Sequence, residues 1–118
     1  MKILLIDDAK KPDNLIDPNS EYSDSFEQVK ENIISVARTG EEGIKLLECF
    51  KYDLLLLDHD LGEGMNGMAV IRWLEDYPQH LPPKVYLVTL NMPMGYVMLE
   101  TLQRWFKEGK ILQYHWVK

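Results

Sequence analysis

Four aspartates stand within three residues of the ends of short apolar runs of this sequence. Asp7 and Asp8 follow the run that begins at Lys2, and Asp58 and Asp60 come after four consecutive leucines. Carboxylates that approach one another repel, and a hard divalent cation such as Mg²⁺ or Mn²⁺ offsets that repulsion. Mg²⁺ also keeps water ligands that a phosphate oxygen can replace. The four acids therefore predict chemistry on a phosphate or phosphoryl group, provided that the fold brings them together.

Short apolar runs and helix-spaced apolar residues alternate along the chain, and these elements must position the acids. Continuous apolar runs that are too short for helices predict buried strands. Apolar residues spaced three and four apart predict helices, one of which begins at a capping box between Thr39 and Glu42. Two prolines predict a loop over residues 9–19. The predicted strands are residues 2–6, 33–37, 53–58, 85–90 and 111–117, and the predicted helices are residues 20–32, 40–50, 67–77 and 95–108.

This alternation predicts an α/β fold with a doubly wound parallel sheet, right-handed crossovers and helices on both faces. In such sheets the ligand site lies at the carboxyl ends of the strands, near the point where the strand order reverses. The four aspartates fall at that edge, and Thr89 and Asn91, which follow the fourth strand, add neutral hydrogen-bonding groups. Acids after strands are most often solvated turn residues. Two acidic pairs at the strand ends of one sheet nevertheless favour a functional site.

Two further polar side chains need an assignment. His59 stands between two acids and could carry a proton or bind a metal. Strand alternation, however, points it away from Asp58 and Asp60, so a structural role is equally open. Cys49 lies beside Phe50 on a predicted helix, and we expect it in the core.

The composition excludes several classes of protein and predicts one domain over residues 1–118. With 46% hydrophobic residues the chain can bury a core, which excludes collagen-like, disordered and disulfide-scaffold proteins. Its net charge of −6 disfavours extended nucleic-acid binding through a basic surface. A single cysteine, with no signal-like or membrane-spanning apolar stretch, predicts a soluble cytoplasmic protein without a membrane partner.

Three motifs stand at predicted strands of this chain: Leu5-Ile6-Asp7-Asp8, the run from Asp53 to Asp58, and Val88-Thr89. Together they resemble the acidic-pocket motifs of response-regulator receiver domains, which act in phosphorelay signal transduction. The resemblance implies a flavodoxin-like fold in which Asp7 and Asp8 hold Mg²⁺, Asp58 accepts a phosphoryl group and the Thr89 hydroxyl contacts a phosphoryl oxygen. Lys118 corresponds to the family's lysine after the fifth strand, without the usual following proline and with the fifth helix absent.

A second set of motifs narrows the resemblance: Asp58-His59-Asp60-Leu61-Gly62, Asn66-Gly67, Thr89-Leu90-Asn91 and Pro93-Met94-Gly95. These are similar to the motifs of the cyclic-phosphate-processing receiver family, which has a DHDLG signature and an Asn-Pro-x-Gly turn. Ordinary receivers carry an apolar residue where this chain has Asp60, and the turn here is one residue longer than in the family. The resemblance implies that the chain processes or senses cyclic phosphate ends.

Such a site would need catalytic residues, metal ligands and phosphate-binding residues. Asp58 could attack phosphorus once a cation has neutralised its charge, and hydrogen-bonding groups could stabilise the equatorial oxygens. Asp60 could protonate a leaving oxygen or orient an attacking water. The predicted catalytic residues are Asp58 and Asp60, the predicted metal ligands are Asp7, Asp8 and Asp58, and the predicted phosphate-binding residues are Thr89, Asn91 and Lys118.

Three functions remain open from the sequence. The chain could process or sense a cyclic phosphate, it could be an orthodox receiver that accepts a phosphoryl group, or it could be a degenerate receiver that only binds a protein partner. The Asp58-x-Asp60 pair also resembles that of haloacid-dehalogenase phosphatases, but no later acidic pair and no cap domain accompany it. The expected partner is a phosphate-bearing small molecule or a phosphodonor. If the chain is an enzyme, the expected activity is Mg-dependent phosphoryl transfer or cyclic-phosphate hydrolysis.

Overall fold

Five strands form one parallel sheet in the computed structural model, which describes residues 1–8 and 33–117. The strands are β1 (Lys2–Ile6), β2 (Ile33–Ala37), β3 (Leu54–Leu57), β4 (Lys84–Leu87) and β5 (Gln113–Trp116). The α-helices of the described part are α1 (Gly40–Cys49), α2 (Gly67–Asp76) and α3 (Met92–Lys107), and a short 3-10 helix spans Pro78–His80. The strand order is β2-β1-β3-β4-β5, so it reverses between β1 and β3. This order confirms the predicted flavodoxin-like fold.

The central strands β1 and β3 are buried on both faces because each is a continuous run of large apolar residues. Residues Ile3 to Ile6 are fully buried, and Leu54 to Leu57 are at most 2% exposed. Alternate side chains of the sheet contribute to two apolar clusters, one on each face. The three described helices all pack into the first cluster. The predicted helix over residues 20–32 and the predicted loop over residues 9–19 lie outside the described residues.

The first turn of α1 confirms the capping signal in the sequence. The Thr39 hydroxyl accepts a hydrogen bond from the Glu42 amide at 3.1 Å, as an N-cap side chain does. The Glu42 carboxylate reaches back to the Arg38 amide at 3.2 Å, one residue before the amide that a capping box employs. The first bond satisfies an amide that the helix itself leaves unpaired, and the second holds the residue that precedes the N-cap.

The predicted end of β4 and the predicted start of α3 are both wrong. The fourth strand was predicted to reach Leu90, yet pairing in β4 ends at Leu87, and Leu90 is 79% exposed. Helix α3 begins at Met92, three residues before the predicted start, because the Asn91 side chain caps it by accepting from the Met94 amide at 3.2 Å. The early start moves Asn91 from a loop to a helix terminus.

Two expectations about surface and environment can be compared with the described residues. Cys49 is exposed, so its predicted place in the core is wrong; it occupies the last turn of α1, on the solvent side. The described part of the chain contains no helix that is both long enough and apolar enough to cross a membrane.

Candidate functional site

Three of the predicted carboxylates meet at the carboxyl edge of the sheet. Asp7, Asp8 and Asp58 each offer an oxygen, and these three oxygens all lie within 4.8 Å of one another. Asp7 is 1% exposed, Asp58 is half-buried and Asp8 is exposed. The cluster stands between β1 and β3, where the strand order reverses and where ligand sites of such sheets occur.

Main-chain hydrogen bonds hold the two sides of this cluster in register. The ladder between β1 and β3 pairs Ile6 with Leu57, and it continues as the Asp58 amide donates to the Ile6 carbonyl at 3.0 Å. The Asp7 amide donates to the Ala37 carbonyl of β2 at 3.0 Å. Both carboxylates therefore start from backbone that the sheet has fixed, and their approach follows directly from the strand register.

The donor set of the cluster fits a hard cation. Its three ligands are all carboxylate oxygens, a set suited to Mg²⁺ or Mn²⁺ and poorly suited to metals that prefer sulfur or imidazole. Three close carboxylates also repel one another, and a cation between them lowers that electrostatic energy. The residues are thus compatible with the predicted metal, and they leave room for further ligands because the edge is open at Asp8.

Thr89 and Asn91 form a second group, at the end of β4. Thr89 is 1% exposed, and its hydroxyl oxygen accepts a hydrogen bond from the Asn91 amide at 3.0 Å. The Trp116 indole donates to the Thr89 carbonyl at 3.1 Å. Gly95 lets α3 approach that indole, since a Cβ there would stand 2.3 Å from a Trp116 ring carbon. The Trp116 bond consequently holds the Thr89 backbone, and the Asn91 bond holds the hydroxyl, which retains its own proton for donation.

Asp60 belongs to this second group and lies outside the three-carboxylate cluster. Its Oδ1 accepts hydrogen bonds from Asn91 Nδ2 at 3.1 Å and from His59 Nδ1 at 2.9 Å. These hydrogen bonds, the one from His59 foremost, lower the pKa of the Asp60 carboxyl below its ordinary value. An ionised carboxylate accepts hydrogen bonds and has no proton to give, which favours orienting a water over protonating a leaving oxygen.

The predicted orientation of His59 is wrong. Strand alternation was extended through the DHDLG segment, but pairing in β3 ends at Leu57, so the period of two no longer applies at His59. The ring turns toward Asp60 and donates from Nδ1, which assigns the proton to that nitrogen. Its Nε2 is buried and has no hydrogen-bond partner among the described residues. His59 thus orients Asp60 through Nδ1, and its Nε2 is shielded from solvent.

The glycine after Asn66 lets α2 begin against the backbone of the acidic loop. A Cβ at Gly67 would stand 2.2 Å from the Asp58 carbonyl oxygen. The Gly67 amide donates to the His59 carbonyl at 2.9 Å, and the Asn66 side chain caps α2 through the Ala69 amide. The Asn66-Gly67 motif therefore closes the loop that starts at Asp58.

Comparison with known proteins agrees with this arrangement. The family model described as the cyclic-phosphate processing receiver domain matches residues 2–104. The chain belongs to this family. The match confirms the resemblance carried by the DHDLG segment, whereas no curated protein matches the sequence significantly.

Solved structures with this receiver's fold include several response regulators. The Thermotoga maritima response regulator TrrA, in complex with Mg²⁺ and BeF, is 24% identical with a TM-score of 0.60, over 99% of this chain and 85% of its own. The BeF3-activated receiver domain of Klebsiella pneumoniae RstA is 21% identical with a TM-score of 0.61, over 98% and 85%. The chain spans 65% of a fusion with the yeast Spc42 coiled coil, at 21% identity, a TM-score of 0.58 and 98% of this chain. At these identities the similarity establishes the fold.

One basic residue at the acidic edge of the receiver, Arg38, was not predicted from the sequence. Arg38 directly follows β2, and its Nη1 donates to the Asp7 carbonyl oxygen at 3.0 Å. Because β2 runs parallel to β1, a residue just after β2 comes to the same edge, and this rule could have identified Arg38. Its guanidinium brings positive charge to the backbone of Asp7, one of the three acids of the cluster.

The remaining site predictions have different outcomes. The structure gathers Asp7, Asp8 and Asp58 in one group and connects Thr89, Asn91 and Asp60 in another. Lys118 lies outside the described residues, so its role in binding phosphate stays a prediction.

Proposed function

We propose that this receiver binds Mg²⁺ or Mn²⁺ through Asp7, Asp8 and Asp58. We propose further that it processes or senses a cyclic phosphate. The observation that carries the proposal is the meeting of these three carboxylates within 4.8 Å at the reversal of strand order. A bound cation would neutralise part of the charge that an incoming phosphate adds to this acidic edge.

The chain's own side chains supply three roles in the proposal. The Asp58 carboxylate is the candidate nucleophile toward phosphorus. The Thr89 hydroxyl, held through the Asn91 amide, is a donor for a phosphoryl oxygen. Asp60, ionised and oriented, is the candidate acceptor of a proton from an attacking water. Family membership supports the cyclic-phosphate assignment, and the DHDLG residues His59 and Asp60 provide the feature that ordinary receivers lack.

A metal titration tests the first part of the proposal. Calorimetry with Mg²⁺ should show saturable binding, and Asp58→Asn should weaken it strongly because one of three anionic ligands is neutralised. Asp76→Asn is a matched control, since Asp76 is an exposed carboxylate at the far end of α2. Equal binding by the wild type and by a variant with asparagine at positions 7, 8 and 58 would refute the metal site.

An orthodox phosphoacceptor is the second candidate function. The resemblance to receiver domains supports it: Asp58, which directly follows β3, would be the acceptor, and the buried Thr89, which follows β4, would provide the switch hydroxyl. Both functions share the cation and differ in the fate of the phosphoryl group. A stable adduct on Asp58 supports the acceptor, whereas opened cyclic nucleotides support the enzyme. Binding of the nucleotide without turnover supports a sensor, and the absence of all three leaves a protein-interaction module.

A further inference from the structure

Asp60 combines an exposed carboxylate with a fixed orientation. Its side chain is 65% exposed, a degree of exposure at which most carboxylates rotate freely. Here Asp60 Oδ1 accepts two hydrogen bonds, one from the His59 imidazole at 2.9 Å and one from the Asn91 side-chain amide at 3.1 Å. The Asp60 carboxylate is therefore aimed in one direction before any ligand arrives.

The two side chains that orient Asp60 are themselves held by the fold. Asn91 uses its Oδ1 to cap α3 at the Met94 amide, and its backbone amide donates to the Thr89 hydroxyl. His59 is 8% exposed, and its Nε2 is buried without a hydrogen-bond partner among the described residues. Burying an imidazole nitrogen in this way costs free energy that a solvent-facing histidine would not lose. A contribution of the oriented Asp60 carboxylate to ligand binding would account for a fold that retains this cost.

The charge of Asp60 restricts what it can contact beside a phosphate. Phosphate oxygens are anionic and only accept hydrogen bonds, so they and the Asp60 carboxylate repel each other. A hydroxyl group is the opposite case, because it donates a charge-assisted hydrogen bond to a carboxylate. Asn91 contacts both residues, because its backbone amide donates to the Thr89 hydroxyl and its side-chain amide donates to Asp60. The Thr89 hydroxyl and the Asp60 carboxylate are therefore separated by one residue, and a phosphate ester that accepts a hydrogen bond from Thr89 has Asp60 as a neighbour.

We infer that Asp60 accepts a hydrogen bond from a hydroxyl on the carbon adjacent to the phosphate-bearing carbon. The site would then select phosphate esters with a vicinal hydroxyl, the group that appears when a five-membered cyclic phosphate is opened. His59 and Asn91 are positioning residues for this contact. The inference rests on the proposed function, since it requires phosphate to bind beside the metal cluster.

Two nucleotides that differ by one hydroxyl test the selection. Adenosine 3′-monophosphate carries the vicinal hydroxyl, and 2′-deoxyadenosine 3′-monophosphate lacks it. With Mg²⁺ present, calorimetry should give a Kd about tenfold lower for the ribonucleotide, the size expected for one charge-assisted hydrogen bond at an exposed site. Asp60→Ala should reduce the ratio of the two Kd values to near one. It should not weaken the binding of inorganic phosphate, because the carboxylate that it removes repels phosphate.

A pair of asparagine variants separates positioning from folding. Asn91→Ser keeps a good cap on α3 and the amide bond to Thr89, yet it removes the donor to Asp60. Asn66→Ser is the matched control, because Asn66 caps α2 in the same way and its side-chain oxygen bonds the Ala69 amide. We expect the Kd ratio to fall to about threefold in Asn91→Ser and to stay near tenfold in Asn66→Ser. A purely structural role of Asn91 would weaken both nucleotides equally and leave the ratio unchanged.

The outcomes distinguish this inference from the proposed function. Equal affinity for the two nucleotides in the wild type, or no binding of either while Mg²⁺ still binds, overturns hydroxyl selection and leaves the metal site standing. Absence of Mg²⁺ binding overturns the proposed function and the inference with it. If Asp60→Ala fails to fold by circular dichroism, the comparison of Asn91→Ser with Asn66→Ser decides alone.

Discussion

Replacing Gly67 by alanine should disturb stability and metal binding together, because α2 begins against the backbone that carries Asp58. A Cβ at position 67 would stand 2.2 Å from the Asp58 carbonyl oxygen and 2.8 Å from His59 Cα. Cβ atoms essentially never come closer than 3.0 Å to such atoms, so the backbone must move by several tenths of an ångström. Neither neighbour can rotate away, since both are main-chain atoms. The loop between Asp58 and Asn66 must therefore shift as a whole.

The size of the effect follows from that overlap. Overpacking a tight contact costs roughly 1–3 kcal/mol, and a contact with backbone belongs in the upper half of that range. Alanine recovers part of the loss by restricting the unfolded chain, about 0.5 kcal/mol. We expect the free energy of unfolding to fall by about 2 kcal/mol, which lowers the Tm by roughly 8 °C for a domain of this size. A displaced Asp58 should weaken Mg²⁺ binding about tenfold, because Mg²⁺ demands near-ideal ligand geometry.

Urea unfolding and Mg²⁺ calorimetry on the same preparations measure both consequences. Gly109→Ala is the control glycine: its φ of +77° strains an alanine, but a Cβ there meets no atom within 4 Å. It should lose about 1 kcal/mol of stability and keep its metal affinity. A Gly67→Ala protein with wild-type stability and wild-type Mg²⁺ affinity would show that the close approach of α2 does not hold Asp58 in place.

Four further outcomes are expected. Asp60→Asn should slow any Mg-dependent opening of 2′,3′-cyclic nucleotides about 10²-fold or more, measured by chromatography of the products; an unchanged rate would remove Asp60 from the proton transfer. Acetyl phosphate should leave little stable adduct on Asp58 by mass spectrometry, and a long-lived adduct in high yield would favour the orthodox receiver. Thr39→Ala should cost about 1 kcal/mol in urea unfolding through the lost cap of α1, with Mg²⁺ affinity unchanged. Arg38→Ala should weaken binding of inorganic phosphate in Mg²⁺ calorimetry more than Arg38→Lys does, because alanine removes the positive charge beside Asp7; equal effects would exclude that role.

Much of the fold was predictable because its signals are local in the chain. The leucine run of β3 and the apolar run of β1 are too apolar to face water, and strands that alternate with helices lead to a parallel sheet. Once the sheet is parallel, residues after its strands must share one edge. That rule alone predicted that Asp7, Asp8 and Asp58 would meet. Asp60, only two residues further on, was expected in the same group and lies in another.

The tertiary structure decided the features that depend on residues far apart in the sequence. Asp60 is 31 positions from Asn91, so no local pattern could reveal their hydrogen bond. The close approach at Gly67 likewise becomes visible only when α2 is packed on its loop. Sequence periodicity specifies which face of an element is apolar, and it loses its meaning where the element ends. Beyond those ends the side chains are placed by packing and by hydrogen bonds between segments, which only the folded chain brings together.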